Sequence, residues 1–506
     1  MKGAAQTQSL SNASQGEDLD AVFSDFENYT AKAMKEWHVP GLAVAVVKGD
    51  RVVYMRGFGN RSQDGPGPVT PNTIFQVGST SKAFTSALVA MQVDEGKLQW
   101  TDRVVDHLPA FHLYDPWVTR EFMVKDLLDH SSGLPEHACD DMATLGYDRE
   151  TVMLSLKKAE PASSFRSGSS YNNALLLWAA RLVESKSGRT WEENLHDRIF
   201  VPLQMNNSSC DPKSFLQARD VAALHRLKDN QLQNPELLTI PMNWTYMDWI
   251  YVMGPAGGIN SNIIDMSKWL RLQMNGGLIN DTSKGNQTAL MDKENVRYMH
   301  SPQTILDSGS KLYNGLGWIY EEHKPYSIVW HNGGSFGHHS MVAFMPDEDI
   351  GIVILSNSAA GLPEILTYWF FDRYFGNPQT DYSNESVIVS LMLENLTNSN
   401  KPKRPQPFDP PLPLERYEGN YSSEMYGPIS ITAKQSHLLA TMGPRKLQNF
   451  LYPWNRDMFF THVPEFMNIT GFAAFRLDTN GKPEYLEMTG FIERAPGRRA
   501  EFKRID

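Results

Sequence analysis

The segment from Gln76 to Gln92 begins with small and hydroxyl residues and continues as an apolar helix. Ser79 and Lys82 stand three positions apart at its start, and residues at this spacing share one face of a helix. The start of a helix favours negative charge, because its first backbone N–H groups have no partner within the helix. A lysine with a lowered pKa could take the Ser79 proton and make the hydroxyl a nucleophile. The alternative is a capping serine beside a solvated lysine.

A second polar pair precedes an apolar helix predicted over residues 174–186. Tyr171 and Asn173 stand two positions apart, so a phenol and an amide could face the same cleft. The phenol could relay a proton, and the amide could hold both a substrate carbonyl group and the lysine. The alternative role for the asparagine is to cap the helix.

A third polar group lies in the sequence HNGG, which contains His331, Gly333 and Gly334. It is predicted at an edge of a sheet, where the glycines would let the backbone approach a ligand closely. The Gly- and Ser-rich segments 126–137 and 254–270 lie next to predicted helices and are typical of cleft-lining loops.

Two further groups of residues each have two alternative roles. His137, which follows the sequence SGLP, reaches the cleft or is an ordinary loop histidine. The aromatic residues of segment 243–251 either line an acyl pocket or pack against the C-terminal region. Adjacent histidines at 338 and 339 would point to opposite faces of a strand, so no metal site is predicted.

The elements that must position these residues come from both ends of a long N-terminal region. β-rich runs flank a hairpin at Lys48-Gly49-Asp50, and alternating strands return after residue 315, with a hairpin loop at residues 346–349. Helices are predicted at residues 18–38, 79–95, 124–130, 174–186, 264–275 and 363–375. This pattern predicts an α+β fold, with one antiparallel sheet flanked by helices and a helical subdomain inserted between the strands.

A proline-rich stretch separates this region from the C-terminus. Residues 398–414 hold six prolines and are predicted to be a linker between a catalytic domain at 18–397 and a domain at 415–506. Short strands divided by Gly, Pro and Asn-Gly in the last part predict a small β-barrel. The barrel is expected to cap the cleft or to mediate self-association into a homo-oligomer.

Composition narrows the function classes. The 506 residues carry a net charge of -11 and no basic patch, which argues against nucleic acid as a partner. No window is long and apolar enough to predict a membrane span. Twelve N-x-[ST] sequons favour a secreted, glycosylated protein, although the polar N-terminus does not resemble a signal peptide. Cys139 and Cys210 are expected to be two buried thiols rather than a pair.

The three motifs together resemble the serine β-lactamase and penicillin-binding-protein superfamily, which carries S-x-x-K, Y-x-N and a Lys- or His-containing strand motif in this order. Tyr171 follows Ser79 by 92 residues and His331 follows Tyr171 by 160, close to the class C arrangement. The resemblance covers residues 18–375 and is closest to class C β-lactamases, DD-peptidases, D-aminopeptidases and related esterases. The C-terminal region is similar to a lipocalin-like barrel appended to some members.

The resemblance implies a role for each matching residue. Ser79 would be the acylated nucleophile, and Lys82 and Tyr171 would be the general base and the proton relay, with the order of the two left open. Asn173 would position the substrate amide. The backbone N–H groups of Ser79 and Gly334 would form the oxyanion hole. No cofactor is implied.

One departure from the pattern bears on the substrate. The β-lactamases usually carry Lys-Thr-Gly where this chain has His331, Asn332 and Gly333. A histidine is largely neutral at pH 7 and is a poorer partner for the carboxylate of a β-lactam. The sequence therefore predicts a serine hydrolase acting on small peptides, including those with D-residues, or on esters. The alternatives are a β-lactam hydrolase and, less favoured, a non-catalytic scaffold of the same fold.

Overall fold

The computed structural model describes residues 19–228, 235–281, 286–323, 326–377, 380–399, 403–463, 470–490, 492 and 498–506. The polar N-terminal segment and the sequons at Asn12 and Asn468 lie outside these residues. No helix within them is both long and apolar enough to cross a membrane. Cys139 is buried, Cys210 is partly buried, and the two do not form a disulfide with each other.

Strands from both ends of the first 375 residues form one sheet. Its nine described strands are β1 (Gly41–Lys48), β2 (Arg51–Ser62), β3 (Gly65–Pro68), β10 (Thr304–Asp307), β11 (Leu312–Asn314), β12 (Ile319–His323), β13 (Tyr326–Gly334), β14 (His339–Met345) and β15 (Ile350–Ser356). Their order is β10-β11-β12-β13-β14-β15-β1-β2-β3, and every neighbouring pair is antiparallel. The predicted antiparallel sheet is confirmed.

Helices cover both faces of this sheet or lie in the inserted subdomain. The described α-helices are α1 (Leu19–Glu36), α2 (Ser81–Asp94), α3 (Val104–His107), α4 (Pro116–Glu121), α5 (Asp140–Leu145), α6 (Arg149–Ser155), α7 (Ala174–Ser187), α8 (Trp191–Leu195), α9 (Pro212–Gln217), α10 (Trp249–Val252), α11 (Gly254–Gly257), α12 (Ile263–Met274), α13 (Lys293–His300), α14 (Leu362–Tyr374) and α15 (Tyr382–Ser399). Single helical turns occur at Gly78–Thr80, Val124–Leu127, Leu156–Lys158, His196–Phe200 and Leu414–Tyr417. Three two-stranded ribbons complete this region: β4 (Phe75–Gln76) with β7 (Asn260–Ser261), β5 (Leu224–Leu227) with β6 (Leu237–Ile240), and β8 (Leu278–Asp281) with β9 (Asn286–Ala289).

The central strand β1 shows why the sheet is covered on both sides. Its side chains alternate between faces, as in any strand. Ala43, Ala45 and Val47 join the apolar core that contains α2 and α12, whereas Val44 and Val46 join the core formed by α1 and α14. An α+β body with helices on both faces of an antiparallel sheet is therefore confirmed.

One predicted helix is shorter than expected, and one helix was not predicted. The helix predicted over residues 124–130 is only the turn Val124–Leu127, whose start is capped by Asp126 accepting the backbone N–H of Met123. The chain then leaves helical geometry at His130, whose φ is +59°. The helix predicted to end this region at residue 375 is followed by α15, which continues into the first two residues of the predicted linker.

The C-terminal region is a closed barrel. Its eight described strands are β16 (Gly419–Ser423), β17 (Gly427–Ala433), β18 (Leu438–Met442), β19 (Leu447–Asn455), β20 (Met458–His462), β21 (Thr470–Leu477), β22 (Pro483–Met488) and β23 (Ala500–Arg504). Pairing of β16 with β23 closes it. The barrel prediction is confirmed, whereas the lipocalin-like label and the domain boundaries stay predictions.

The barrel docks on the helical subdomain. Arg445, in the turn between β18 and β19, donates from Nη2 to both carboxylate oxygens of Asp248 at 2.6 and 2.7 Å. The Tyr147 hydroxyl donates to the Tyr426 carbonyl at 2.8 Å. These contacts join the barrel to the loops that precede α6 and α10.

Candidate active site

Ser79 lies in the single turn that leads into α2. Gly78 precedes it with a φ of +55°, and a Cβ atom there would lie 2.6 Å from the Gly334 carbonyl oxygen. Only glycine suits both this conformation and this close approach. Ser79 is partly exposed, although most of α2 is buried. Its side chain caps no helix, so the alternative of a capping serine is not supported.

Lys82 is fully buried one turn after Ser79. Its Nζ atom lies 3.1 Å from Ser79 Oγ and donates to the Ala256 carbonyl at 2.9 Å. The same atom lies 4.7 Å from the centre of the Tyr171 ring. Burial lowers the pKa of Lys82 to about 7, although the Asp140 carboxylate acts in the opposite direction. The alternative of a solvated lysine is wrong.

Tyr171 approaches Ser79 from the loop that precedes α7. Its hydroxyl donates to Ser79 Oγ at 2.8 Å. Burial raises the pKa of the phenol well above its ordinary value, so it remains protonated at neutral pH. The Tyr171 backbone carbonyl accepts from the His137 N–H at 2.8 Å, which ties the loop to the segment before α5.

The HNGG motif ends strand β13 beside the Ser79 turn. Although β13 is an internal strand, β12 pairs with it only as far as Trp330, so the following residues form a local edge. A Cβ atom on Gly333 would lie 2.8 Å from the Ser79 backbone nitrogen. The strand edge and the serine turn therefore meet backbone to backbone, as the motif predicted.

The side chains of His331 and Asn332 face opposite sides of β13. His331 is buried, and its Nδ1 atom lies 2.5 Å from the Asn332 carbonyl oxygen. Burial, reinforced by the charge of Lys82, lowers the pKa of His331 to about 3, so the ring is neutral at pH 7. Asn332 projects from the other face of β13 and donates to Glu364 of α14 at 2.7 Å. The motif therefore contributes a neutral ring to the side where Lys82 lies.

Asn173 has a different partner from the one expected. Its Nδ2 atom donates to Asp140 Oδ2 at 2.6 Å, and no hydrogen bond joins it to Lys82. The helix is capped instead by Asn172, whose Oδ1 atom accepts from the Leu175 N–H at 3.0 Å. The structure thus brings Asn173 to a carboxylate that the sequence motifs did not single out.

His137 lies next to the same carboxylate. Its Nδ1 atom is 2.9 Å from Asp140 Oδ2, and its ring centre is 5.3 Å from that of Tyr171. A cavity of about 750 Å³ opens beside His137, between the helical subdomain and the barrel, and its lining does not include Ser79, Lys82 or Tyr171. The prediction that His137 reaches the site is consistent with its contact with Tyr171.

His130 and Asp140 are the site residues that the sequence motifs missed. The His130 ring lies 4.5 Å from the Tyr171 ring, and its Nδ1 atom accepts from the Asn172 N–H at 3.3 Å. Burial, with nearby positive charge, lowers the pKa of His130 well below its usual value. Both residues belong to the segment between residues 126 and 140, and the Gly- and Ser-rich composition of its first part was the available signal.

The aromatic segment 243–251 contacts the barrel, one of the two roles predicted for it, whereas its lining of an acyl pocket stays a prediction. Trp244 packs edge to face against Phe336, in the turn that follows Gly334, with ring centres 4.6 Å apart. On the other side, the Arg445 guanidinium of the barrel lies 5.5 Å from the Tyr246 ring. The segment therefore joins the barrel to the loop beside the strand edge.

The neighbouring histidines 338 and 339 are structural. His338 is fully buried and accepts the Gln76 N–H at 2.9 Å. His339 contacts Glu364 at 2.6 Å on the opposite side of β14. Within the described part of the chain, no group of three or more potential ligands could hold a metal ion.

Comparisons with known proteins place this geometry in a family. The family model described as Beta-lactamase matches residues 26–370, which include all three motifs. The chain belongs to this family. Residues 403–504 match a domain of unknown function, DUF3471, which covers the barrel. Membership identifies the chain as a hydrolase related to β-lactamases and penicillin-binding proteins.

Relatives of the family agree with this assignment. The chain is 27% identical to the unguisins hydrolase ungD' of Aspergillus campestris, over 92% of this chain and 89% of the relative. It is 28% identical to penicillin-binding protein 4 of Amycolatopsis lactamdurans, over 67% and 85%. The fold is similar to that of the octameric penicillin-binding protein homologue from Pyrococcus abyssi, with a TM-score of 0.60 and 21% identity over 95% of this chain and 100% of that one.

Proposed function

We propose that this hydrolase works through an acyl-enzyme formed on Ser79 and that its substrates are small peptides or esters. The observation that carries the proposal is the pair of contacts on one hydroxyl. Ser79 Oγ lies 2.8 Å from the Tyr171 hydroxyl and 3.1 Å from the buried Lys82 amine. A nucleophile beside a base, oriented by a third group, is the arrangement that covalent catalysis requires.

The two neighbours of Ser79 are suited to different proton transfers. Lys82, with a pKa of about 7, is substantially neutral at neutral pH and can accept the serine proton. Tyr171 has a raised pKa, so it keeps its proton in the resting site, cannot act as the base there, and can pass its proton on only while it receives another. We therefore assign the general base to Lys82 and the proton relay to Tyr171.

Acylation then proceeds by addition of Ser79 to the carbonyl carbon, followed by loss of the leaving group. Ser79 Oγ forms a bond to the substrate carbonyl carbon while its proton passes to Lys82. The negative charge that develops on the carbonyl oxygen is held by the backbone N–H groups of Ser79 and Gly334, whose segments meet at this point. The bond to the leaving amine or alcohol breaks as the proton returns through Tyr171. In deacylation the route runs in reverse: a water oxygen bonds to the acyl carbon while its proton leaves through Tyr171, and Ser79 Oγ takes a proton back from Lys82 as its bond to that carbon breaks and the acid is released.

The third motif supports peptides and esters over β-lactams. A β-lactam antibiotic carries a carboxylate, and in the resembled enzymes a lysine meets it. Here the corresponding His331 is neutral, because its pKa is about 3. Penicillin recognition remains a second candidate, favoured by the likeness to a penicillin-binding protein.

A covalent probe tests the proposal. A fluorophosphonate and a labelled penicillin are each incubated with the full chain, with Ser79→Ala and with Ser86→Ala, and the modified peptide is identified by mass spectrometry. Ser86 is the control, because it is a serine of α2, the helix that follows the Ser79 turn. We expect fluorophosphonate labelling at Ser79 in the natural chain and in Ser86→Ala only. No labelling by either probe, with no hydrolysis of nitrophenyl acetate, would exclude a serine acyl-hydrolase.

A further inference from the structure

Asp140 holds an incompletely satisfied carboxylate beside the proposed nucleophile. Its Oδ2 atom accepts from Asn173 at 2.6 Å and lies 2.9 Å from His137 Nδ1. Its Oδ1 atom is buried and accepts no hydrogen bond from the described residues. A buried polar atom without a partner is costly, so such an atom in a native structure calls for an explanation.

The position of this carboxylate is fixed by the site itself. Asn173 belongs to the motif that also supplies Tyr171, whose hydroxyl contacts Ser79. His137 donates its backbone N–H to the Tyr171 carbonyl. The charge of Asp140 is close enough to act on the pKa values of both Lys82 and Tyr171. A substrate held at Ser79 therefore lies next to the loop of Tyr171, to which Asn173 and His137 tie Asp140.

The surrounding groups give this part of the site a negative character. No lysine or arginine within the described residues forms an ion pair with Asp140, whose ion-pair partner there is His137. His130 and His331 are buried and neutral. His331 stands where related enzymes carry a lysine, and its neutral ring adds no positive charge to balance the Asp140 carboxylate.

We propose that Asp140 binds a free ammonium group on the acyl side of the substrate, so that the enzyme prefers amino-acyl amides and esters with an unblocked amine. This inference rests on the proposed function of Ser79. An ammonium group supplies the carboxylate with both a hydrogen-bond donor and a full positive charge, and such charge-assisted bonds are about twice as strong as neutral ones. A neutral amide N–H would supply only the donor.

Matched substrates test the preference. Alanine p-nitroanilide and N-acetylalanine p-nitroanilide, each as the D and the L form, differ only in the free amine. We expect kcat/KM to be at least about tenfold higher for the free amine, which corresponds to the contribution of one charge-assisted bond. In Asp140→Asn this ratio should fall by about tenfold. Glu136→Gln is the matched control, because it removes the same charge from an exposed side chain of the same loop.

Two outcomes of the kinetic test would overturn the inference. One is a ratio near one in the natural enzyme. The other is a ratio that Asp140→Asn and Glu136→Gln change equally, or that neither changes, which would assign the unfilled acceptor to an ordered water. If nitrophenyl acetate is hydrolysed normally alongside either outcome, the proposed function of Ser79 is unaffected and only the proposed amine site is contradicted.

A binding measurement decides the question even without turnover. Alaninamide and N-acetylalaninamide are titrated calorimetrically into Ser79→Ala, which cannot be acylated. We expect the amine to bind about tenfold more tightly and the difference to disappear in Ser79→Ala/Asp140→Asn. Equal affinities in Ser79→Ala would overturn the amine site independently of whether the enzyme is a serine acyl-hydrolase.

Discussion

At the scale of single residues, the burial of Lys82 determines how kcat/KM is expected to depend on pH. Water is a better solvent for the ammonium form than the protein interior is, so burial favours the neutral amine. Below pH 7 the lysine is protonated and cannot accept the Ser79 proton. We expect kcat/KM for a neutral ester to rise with pH through about 7 and then level off. A profile that is flat between pH 5.5 and 8.5 would contradict the assignment of Lys82 as base.

The burial of Lys82 should also destabilise the folded protein. In the unfolded chain the lysine holds its proton up to a pH of about 10.5, whereas in the folded protein it releases the proton near pH 7. The unfolded state thus binds more protons between these values, so the penalty is full below pH 7 and fades as the pH rises towards 10.5.

Replacing this lysine should therefore stabilise the protein. We expect Lys82→Met to raise the free energy of unfolding at pH 6.5 by an amount on the order of a few kcal/mol, less the lost hydrogen bonds, and by less at pH 9.5. The measurement is chemical denaturation at both pH values. Lys213→Met, at an exposed lysine of α9, is the control and should show neither the gain nor its pH dependence.

At the scale of elements, the site depends on the contact between the end of β13 and the turn before α2. Gly333 has no room for a side chain, because a Cβ atom would collide with the Val77 carbonyl oxygen and approach the Ser79 nitrogen. We expect Gly333→Ala to displace the turn and to reduce fluorophosphonate labelling at least about tenfold.

The control for this prediction is another glycine of the same body. Gly168 has open space around its Cβ position and no left-handed φ, so Gly168→Ala should label at the natural rate. Circular dichroism and thermal melting establish that each variant is folded. Natural labelling of a folded Gly333→Ala protein would show that the strand edge does not hold the nucleophile in place.

The elements also explain what could be predicted from the sequence. Ser79, Lys82, Tyr171 and His331 lie at the ends of regular elements, where spacing along a helix or strand fixes the face on which a residue lies. His130 and Asp140 were not predicted, because His130 lies in a loop that no periodicity governs and Asp140 begins α5 directly after that loop. Positive φ values at residues 130, 137 and 139 turn that loop back towards Tyr171, and such conformations leave little trace in the sequence when the residue is not glycine.

Prediction of the fold shows the same contrast. The hairpin of β1 with β2 and the single antiparallel sheet followed from alternation and turn residues, and both were confirmed. Helix α15 was missed because its sequence mixes β-branched and asparagine residues, which have weak helical propensity. A helix of such residues depends on tertiary contacts more than on local preference.

At the scale of the whole molecule, the barrel is proposed to mediate self-association. The motivation is the position of the barrel after the proline-rich stretch at residues 398–414. We expect light scattering coupled to size-exclusion chromatography to give a mass that is a multiple of the chain mass and stable over a hundredfold dilution. A monomer at all concentrations would contradict this proposal without affecting the chemistry at Ser79.

The barrel is also proposed to shape the acyl side of the cleft through Arg445. This residue is largely buried and binds Asp248 in a bidentate pair, and its Nη1 atom donates to the Thr245 carbonyl at 2.7 Å. The segment it holds packs through Trp244 on Phe336, just after Gly334. Loss of the guanidinium should loosen that segment while Lys82 and Tyr171 keep their contacts with Ser79.

The expected result is therefore selective. In Arg445→Met we expect kcat/KM for a nitrophenyl ester with a long acyl chain to fall severalfold relative to that for nitrophenyl acetate. Arg476→Met is the matched control, because Arg476 forms ion pairs with Glu487 and Glu501 on the barrel alone. An equal loss for both esters would show that Arg445 stabilises the fold in general and does not affect substrate selection. A change in the ratio that appears only in Arg445→Met would make the barrel a determinant of substrate selection, because the reacting groups themselves all belong to the first 375 residues.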